Sequence, residues 1–169
     1  MAIARDRDGR GAGGGAANGT ADGASVGLVV VTHGGSGACL LSAAAEIVGV
    51  IEAAASIAVV VGEEFSDTLR RVAHACDGVD SGAGILILVD VHGSSEFQAC
   101  LAMVDGTRPV EIVCGINLPM LIKLATVDRR GLPPAAIADI LKEVGKRSIR
   151  LGSELTGKIV THAHPGESR

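Results

Sequence analysis

Two apolar runs of this sequence end in side chains that can do chemistry. The run 26–31 leads through Thr32 to His33 and a glycine-rich turn, and the run 85–89 leads directly to Asp90. In an open parallel sheet, ligands bind outside the carboxyl ends of the strands. A nucleophile and a carboxylate at two such ends therefore predict a functional site around His33.

The residues near His33 suit phosphoryl transfer. Neutral imidazole is a nucleophile near pH 7, and Asp90 on a neighbouring strand could hydrogen-bond the other ring nitrogen and fix the tautomer. Helix N-termini bind anions through unpaired amide groups, and hydroxyls can donate to phosphoryl oxygens. The predicted catalytic residues are His33 and Asp90, and the predicted phosphoryl-binding residues are Gly34, Gly35, Ser36, Ser94 and Ser95.

Position alone leaves other interpretations open. A histidine at a strand end is more often structural than catalytic, and Asp90 could equally cap the next helix. His33, Asp90 and His92 could hold a divalent metal, but their spacing is not diagnostic, and no metal site is predicted. Two glycine motifs fail, because Leu40 replaces the third glycine of a dinucleotide fingerprint and Ala38 breaks a nucleophile elbow.

Composition narrows the class of partner. The 169 residues carry a formal net charge of −4 and include two phenylalanines but neither tryptophan nor tyrosine. This argues against nucleic acid, which is bound by basic surfaces or aromatic platforms. The four cysteines lack metal-ligand spacing and are expected to be reduced and buried, as in a cytosolic protein. No cofactor is implied, and no apolar run approaches the ~18 residues of a membrane span.

Alternating elements predict how the site is held. Because the apolar runs do not alternate with polar residues, the strands should be buried on both faces. The predicted fold class is α/β: a doubly wound, mainly parallel four-stranded sheet with helices on both faces. Strands are expected near 26–32, 57–61, 85–90 and 110–116, and helices near 37–48, 66–76, 95–104 and 119–127, with a last helix from Pro133 to Leu151 closed by Gly152.

Three segments resemble the signature segments of the mannose-type enzyme IIA of the bacterial sugar phosphotransferase system. They are Val29-Val30-Val31-Thr32-His33-Gly34, Leu86-Ile87-Leu88-Val89-Asp90 and Gly115-Ile116-Asn117-Leu118-Pro119-Met120-Leu121. The resemblance covers about residues 26–151, which makes 25–152 an enzyme IIA-like domain. Residues 1–24 are interpreted as a flexible N-terminal extension. Residues 153–169 are interpreted as a C-terminal tail, in which Ile159-Val160 could add an antiparallel strand.

The resemblance implies a phosphoryl carrier. In that family, the histidine matching His33 accepts a phosphoryl group from the phosphocarrier HPr and donates it to an enzyme IIB, and the aspartate matching Asp90 pairs with the histidine. The resemblance also implies a cytoplasmic homodimer that needs no cofactor and meets the membrane only through transporter components. The residues expected to face the partner proteins are His92, Phe97, Asn117 and Pro119.

The loop after Asp90 departs from the family pattern. Where the family usually has Asp-x-(Trp or Phe)-Gly-Gly-Ser-Pro-Phe-Asn, this chain has His92 for the aromatic residue, Ser94 for a glycine, Glu96 for the proline and Gln98 for the asparagine. Glu96 adds a negative charge where the phosphoryl group would arrive. Repulsion between like charges disfavours that arrival, and exposure of Glu96 to solvent would screen it.

Two alternative functions remain at this point. One is a regulatory sensor, in which phosphorylation of His33 controls a partner protein without sugar transport; the altered loop and the N-terminal extension favour it. The other is the related phosphocarrier of dihydroxyacetone kinases, which shares the fold and the first-strand histidine. The segment Asn117-Leu118-Pro119 speaks against the second alternative.

Overall fold

The apolar runs form one parallel sheet. The computed structural model describes residues 23–156, and its four strands lie in the order β2-β1-β3-β4. The strands are β1 (Gly27–His33), β2 (Ala54–Val59), β3 (Ile85–Val89) and β4 (Val110–Cys114). The helices of this part of the chain are α1 (Ser36–Val48), α2 (Phe65–Val79), α3 (Ser95–Leu101), α4 (Leu118–Leu124), α5 (Pro134–Arg147) and α6 (Gly152–Thr156).

The two central strands are covered on both faces. Successive side chains of a strand point to opposite faces, so β1 and β3 each supply two cores. One core packs against α1, α4 and α5 and contains Leu28, Val30, Leu86 and Leu88. The other packs against α2 and α3 and contains Val29, Val31, Ile85 and Ile87. The predicted doubly wound α/β fold with a four-stranded parallel sheet is confirmed.

The sheet reverses its winding direction between β1 and β3. From β1 the chain crosses to β2 on one side, whereas β3 and β4 lie on the other side. Ligands of doubly wound sheets bind at such a switch point, in the crevice outside the carboxyl ends of the two strands. His33 ends β1 and Asp90 follows β3, so the fold brings both residues to the switch point.

β2 begins and ends earlier than predicted. The apolar run predicts a strand over 57–61, but the observed strand is Ala54–Val59. β1 sets its end, because His33, the last residue of β1, pairs with Val59. Val60 and Val61 therefore lie beyond the paired region, 65% and 95% exposed, at the same edge as His33.

The last long helix is shorter than predicted. α5 ends at Arg147, where the Ser148 hydroxyl donates to the main-chain carbonyl of Val144 at 2.6 Å. Such a local hydrogen bond competes with continuation of the helix. Leu151, expected in the apolar stripe of this helix, is exposed, and Gly152 begins α6 instead of closing α5.

Three other elements also end two or three residues before their predicted ends; these are α3, β4 and α4. At β4 the reason is local, because the residue after the strand is Gly115, whose φ of 84° turns the chain away.

The strand predicted at Ile159-Val160 and nearly all of the extension predicted over 1–24 lie outside the described residues. No helix within 23–156 is long and apolar enough to span a membrane.

Gly37 allows α1 to lie close against β1. A Cβ atom at this position would be 2.8 Å from Thr32 Oγ1 and 2.8 Å from a methyl group of Val30. The Gly37 N–H also donates to Thr32 Oγ1 at 2.8 Å. A side chain here would push the start of α1, and the turn that follows His33, away from the sheet.

We expect Gly37→Ala to lower the free energy of unfolding by about 1–3 kcal/mol, because it overpacks this contact. Gly78→Ala is the matched control, since Gly78 also lies in a helix but a Cβ there meets nothing within 4 Å. The control should raise stability by up to about 1 kcal/mol through helix propensity. Urea unfolding followed by circular dichroism measures both, and equal stabilities would contradict the close approach of α1.

Burial separates the four cysteines into different classes. Cys76 on α2 and Cys100 on α3 are buried in the same core, Cys114 is half-buried and Cys39 is exposed. Burial raises the pKa of Cys76 to about 11 and that of Cys100 to about 12. The expectation of buried cysteines is therefore wrong for Cys39 and confirmed for Cys76 and Cys100.

We expect iodoacetamide at about pH 8 to modify Cys39 and to spare Cys76 and Cys100, because the thiolate is the reactive form. Mass spectrometry identifies the modified thiols. Rapid modification of Cys100 in the native protein would contradict its burial.

The raised pKa values of Cys76 and Cys100 exist only in the folded state. The stability that depends on them is complete below the unfolded-state pKa of about 8.5 and is lost as pH rises through the folded-state values. The midpoint of urea unfolding should therefore fall above about pH 9, and it should fall less in Cys76→Ala.

Candidate functional site

The side chain of Asp90 joins the carboxyl ends of the two central strands. Its Oδ2 atom accepts the main-chain N–H of His33 at 2.8 Å, and its Oδ1 atom accepts the main-chain N–H of Val91 at 2.8 Å. The same carboxylate lies 3.1 and 3.2 Å from Nδ1 of the His33 ring. The pairing of His33 with Asp90, expected if their strands are neighbours, is present.

This contact determines which nitrogen of His33 faces the crevice. A carboxylate accepts hydrogen bonds, so it favours the form of the ring in which Nδ1 carries the proton. In the neutral ring the lone pair is then on Nε2. The His33 side chain is 46% exposed, whereas that of Asp90 is 22% exposed. The arrangement therefore holds a partly exposed imidazole on a carboxylate that is about half as exposed.

A second carboxylate lies against Nε2 of the same ring. Glu96 Oε1 is 3.3 Å from His33 Nε2, and the Glu96 side chain is only 5% exposed. Its other oxygen, Oε2, accepts the Ser95 hydroxyl at 3.3 Å. Glu96 would be screened by solvent only if it were exposed, and its burial removes that condition.

A signal for the burial of Glu96 is present in the sequence. Residues three and four apart share one face of a helix, and Ala99 and Cys100 follow Glu96 at these two spacings. Both are fully buried in the core beneath α3. The periodicity of α3 therefore places Glu96 on the inward face of the helix, in its first turn.

The turn after His33 contains both engaged and unpaired hydrogen-bond donors. The N–H of Gly34 donates to the carbonyl of Val59 at 2.9 Å, and the Ser36 hydroxyl donates to the carbonyl of His33 at 3.1 Å. Within residues 23–156 the amide groups of Gly35 and Ser36, at the start of α1, have no hydrogen-bond acceptor. These two amides, and not the Gly34 amide or the Ser36 hydroxyl, are the ones available to an anion.

The two predicted serines after β3 have their hydroxyls engaged within the loop. Ser94 is the N-cap of α3: its Oγ accepts the N–H of Phe97 at 3.2 Å and donates to the carbonyl of Val91 at 3.2 Å. The Ser95 hydroxyl donates to Glu96. Both serines lie next to the crevice, but each hydroxyl already donates its hydrogen bond within the loop and not to a phosphoryl group on His33.

The predicted partner-facing residues fall into two groups. His92 is exposed, with its ring centroid 5.0 Å from that of half-buried Phe97. Asn117 caps α4, where its Oδ1 accepts the N–H of Met120 at 3.2 Å and its Nδ2 donates to Gly145 at 3.5 Å, and Pro119 is half-buried in the same helix. His92 thus lies on the rim of the crevice, whereas Asn117 holds α4 and α5 together.

No metal-binding cluster is present among the described residues. Both oxygens of Asp90 already accept N–H groups, and within residues 23–156 no group of three or more histidine, cysteine, aspartate or glutamate side chains could hold a metal ion. A negatively charged group that reaches Nε2 would meet the carboxylate of Glu96, which lies 3.3 Å from that nitrogen.

The chain is similar to known proteins in sequence and in fold. The family model EIIA-man, "PTS system fructose IIA component", matches residues 27–140. The mannose-specific EIIAB components of the phosphotransferase systems of Escherichia coli K12 and Shigella flexneri are each 30% identical over 99 residues, which is 59% of this chain. The chain spans only 31% of the length of these curated relatives.

Solved structures share the fold. The phosphotransferase component EIIA from Streptococcus agalactiae aligns with a TM-score of 0.69 at 21% identity, covering 76% of this chain and 98% of that one. The mannose/sorbose-specific IIA subunit from Enterococcus faecalis aligns with a TM-score of 0.65 at 24% identity, covering 75% of this chain and 94% of that one.

We expect Asp90→Ala to change the tautomer of His33. With Asp90 present, ¹⁵N NMR should show the proton on Nδ1; without it, the proton of the neutral ring should move to Nε2, which faces Glu96. The variant should also lose about 1–3 kcal/mol of stability, because the N–H groups of His33 and Val91 lose their acceptor. Exposed His74 is the internal reference, and an unchanged His33 spectrum would contradict the role of Asp90.

Proposed function

This chain belongs to the mannose-type enzyme IIA (EIIA-man) family of the sugar phosphotransferase system, and we propose that it carries a phosphoryl group on Nε2 of His33. The observation that carries the proposal is the contact of Asp90 with Nδ1 at 3.1 Å, which leaves Nε2 as the reacting nitrogen. The donor is the phosphohistidine of HPr, and the acceptor is an enzyme IIB. His33 and Asp90 are the catalytic residues.

The transfer needs no cofactor. The Nε2 lone pair of His33 forms a bond to phosphorus while the bond from phosphorus to the HPr histidine breaks, and the leaving nitrogen keeps that electron pair. The ring of His33 becomes positively charged, with its proton still on Nδ1. The Asp90 carboxylate beside that proton stabilises the charge. Transfer to enzyme IIB is the same step with a nucleophile of the acceptor in place of Nε2.

The start of α1 supports the transferred group. Phosphoryl transfer relies on positioning and on stabilisation of negative charge more than on covalent help. The amides of Gly35 and Ser36 lie in the turn directly after His33, at the positive end of a 13-residue helix. We assign these two amides to the phosphoryl oxygens, and Gly34, whose φ of 55° shapes the turn, positions them.

The proposed partner surface surrounds the crevice. His92, Val60 and Val61 are exposed beside the ends of β3 and β2, where they can contact HPr or enzyme IIB. The proposed working form is the homodimer expected of the family, in the cytoplasm, where its phosphoryl donor is found. It reaches a membrane only through the transporter components that receive the phosphoryl group.

The contact of Glu96 with His33 favours a second candidate function. A buried carboxylate beside Nε2 disfavours the phosphorylated state and slows the flow of phosphoryl groups. Slow turnover suits a sensor, in which the phosphorylation state of His33 controls a partner protein instead of feeding sugar uptake.

Incubation with enzyme I, HPr and labelled phosphoenolpyruvate tests phosphoryl transfer. We expect acid-labile label on the wild-type chain and none on His33→Ala. Asp90→Asn should be labelled roughly 10- to 100-fold more slowly, since the loss of one hydrogen bond to a charged group is worth about 1.5–3 kcal/mol. His74→Ala, which changes an exposed histidine on α2, is the matched control and should match the wild type.

Label on His33→Ala equal to that on the wild type would contradict the assignment of His33. Candidate enzyme IIB proteins are then added to the labelled chain. Loss of label to an enzyme IIB supports the carrier, whereas label that stays on His33 in the presence of every candidate supports the sensor.

A further inference from the structure

We propose that Glu96 closes the reacting nitrogen of unmodified His33 and has to leave its buried position when His33 accepts a phosphoryl group. The proposal rests on the proposed function, because it concerns the same nitrogen. It assigns a specific task to a residue that stands where the family usually has a proline.

The geometry places the ring of His33 between two carboxylates. Asp90 lies 3.1 Å from Nδ1, and Glu96 lies 3.3 Å from Nε2. Within the described residues, His33 is the only basic side chain at ion-pair distance from Glu96. A buried carboxylate needs a partner that compensates the loss of water, and this partner is the group that must react.

A hydrogen bond between Glu96 and Nε2, in either direction, leaves Nε2 without a free lone pair. If Glu96 is ionised and accepts the hydrogen bond, Nε2 carries the proton and has no lone pair. If Glu96 is protonated, its hydroxyl faces the Nε2 lone pair and occupies it. In both states the carboxyl group has to move before a bond from Nε2 to phosphorus can form.

The phosphorylated state excludes Glu96 for a further reason. A phosphoryl group on Nε2 places negatively charged oxygens beside a carboxylate that lies 3.3 Å from that nitrogen. Because the Glu96 side chain is only 5% exposed, solvent screens this repulsion poorly. The repulsion is relieved when Glu96 turns into water, so phosphorylation and displacement of Glu96 accompany each other.

The displacement of Glu96 disrupts few contacts. Its carboxylate is held by the His33 ring and by the hydroxyl of Ser95, whereas Asp90 accepts two main-chain N–H groups in addition to the ring. Ser95 and Gln98 beside it are exposed, so the route to solvent is short. Of the two carboxylates at the ring, Glu96 is the one that can yield while the strand ends stay joined.

Chemical modification tests the closed state without any partner protein. Diethyl pyrocarbonate acylates an unprotonated imidazole nitrogen, and mass spectrometry measures the rate at each histidine. We expect His33 to react roughly tenfold or more faster in Glu96→Ala than in the wild type, the equivalent of one lost contact to a charged group. Exposed His74 is the internal reference and should react equally in both proteins.

Glu64→Gln is the matched control for the change in charge. Glu64 is an exposed carboxylate next to the end of β2, on the same edge of the sheet, and its side chain makes no capping hydrogen bond. This variant should leave the reactivity of His33 at the wild-type value. Glu96→Gln keeps the shape of the side chain and removes its charge, which separates the two effects if Glu96→Ala alters the fold.

Labelled phospho-HPr tests the second half of the proposal. We expect Glu96→Ala to take up label roughly tenfold or more faster than the wild type, and the phosphohistidine of both Glu96 variants to be hydrolysed more slowly. Glu64→Gln should match the wild type in both measurements. Circular dichroism confirms that each variant is folded.

The outcomes distinguish this proposal from the proposed function. Wild-type rates of acylation and of labelling in both Glu96 variants would overturn the role of Glu96 while leaving His33 as the phosphoryl acceptor. Faster acylation in Glu96→Ala with no label on any protein would support the closed state of Nε2 and overturn the phosphoryl carrier. Faster acylation and faster labelling together support both.

Discussion

The carboxylate of Asp90 is the interaction on which the functional site depends. It accepts the main-chain N–H groups of His33 and Val91 as well as the His33 ring, so a single side chain joins the ends of β1 and β3. These strands are buried over nearly their whole length, and they flank the point at which the winding of the sheet reverses. The site therefore inherits its geometry from the core, and the reacting ring is held by the sheet rather than by a loop.

Around this ring, two carboxylates of equal charge have unequal attachments. Asp90 has main-chain donors that no movement of the ring can remove, whereas Glu96 has the ring itself and one hydroxyl. A carboxylate whose burial depends on the reacting group competes with any anion that this group accepts. The difference in attachment, and not a difference in chemistry, makes one carboxylate a support of His33 and the other a competitor of the phosphoryl group.

Local patterns predicted some elements and misplaced others for identifiable reasons. The apolar runs before His33 and Asp90 predicted β1 and β3 closely, because both runs lie in central strands that are paired on both sides. β2 was misplaced because Val60 and Val61 continue its apolar run beyond the last residue that β1 can pair. The burial of Glu96 was not predicted because a charged residue in an altered loop suggests exposure, although its spacing to buried Ala99 and Cys100 places it on the inner face of α3.

The sequence by itself determined the α/β class, the strand ends that carry His33 and Asp90, and their resemblance to a phosphoryl carrier. These features depend on residue order and on short-range hydrophobic periodicity. Only the tertiary structure decided that β3 lies beside β1, that the hydroxyls of Ser94 and Ser95 are spent within their loop, and that Glu96 meets Nε2. These features depend on which groups approach one another across the fold to within hydrogen-bond or ion-pair distance, and the order of residues along the chain does not specify such distances.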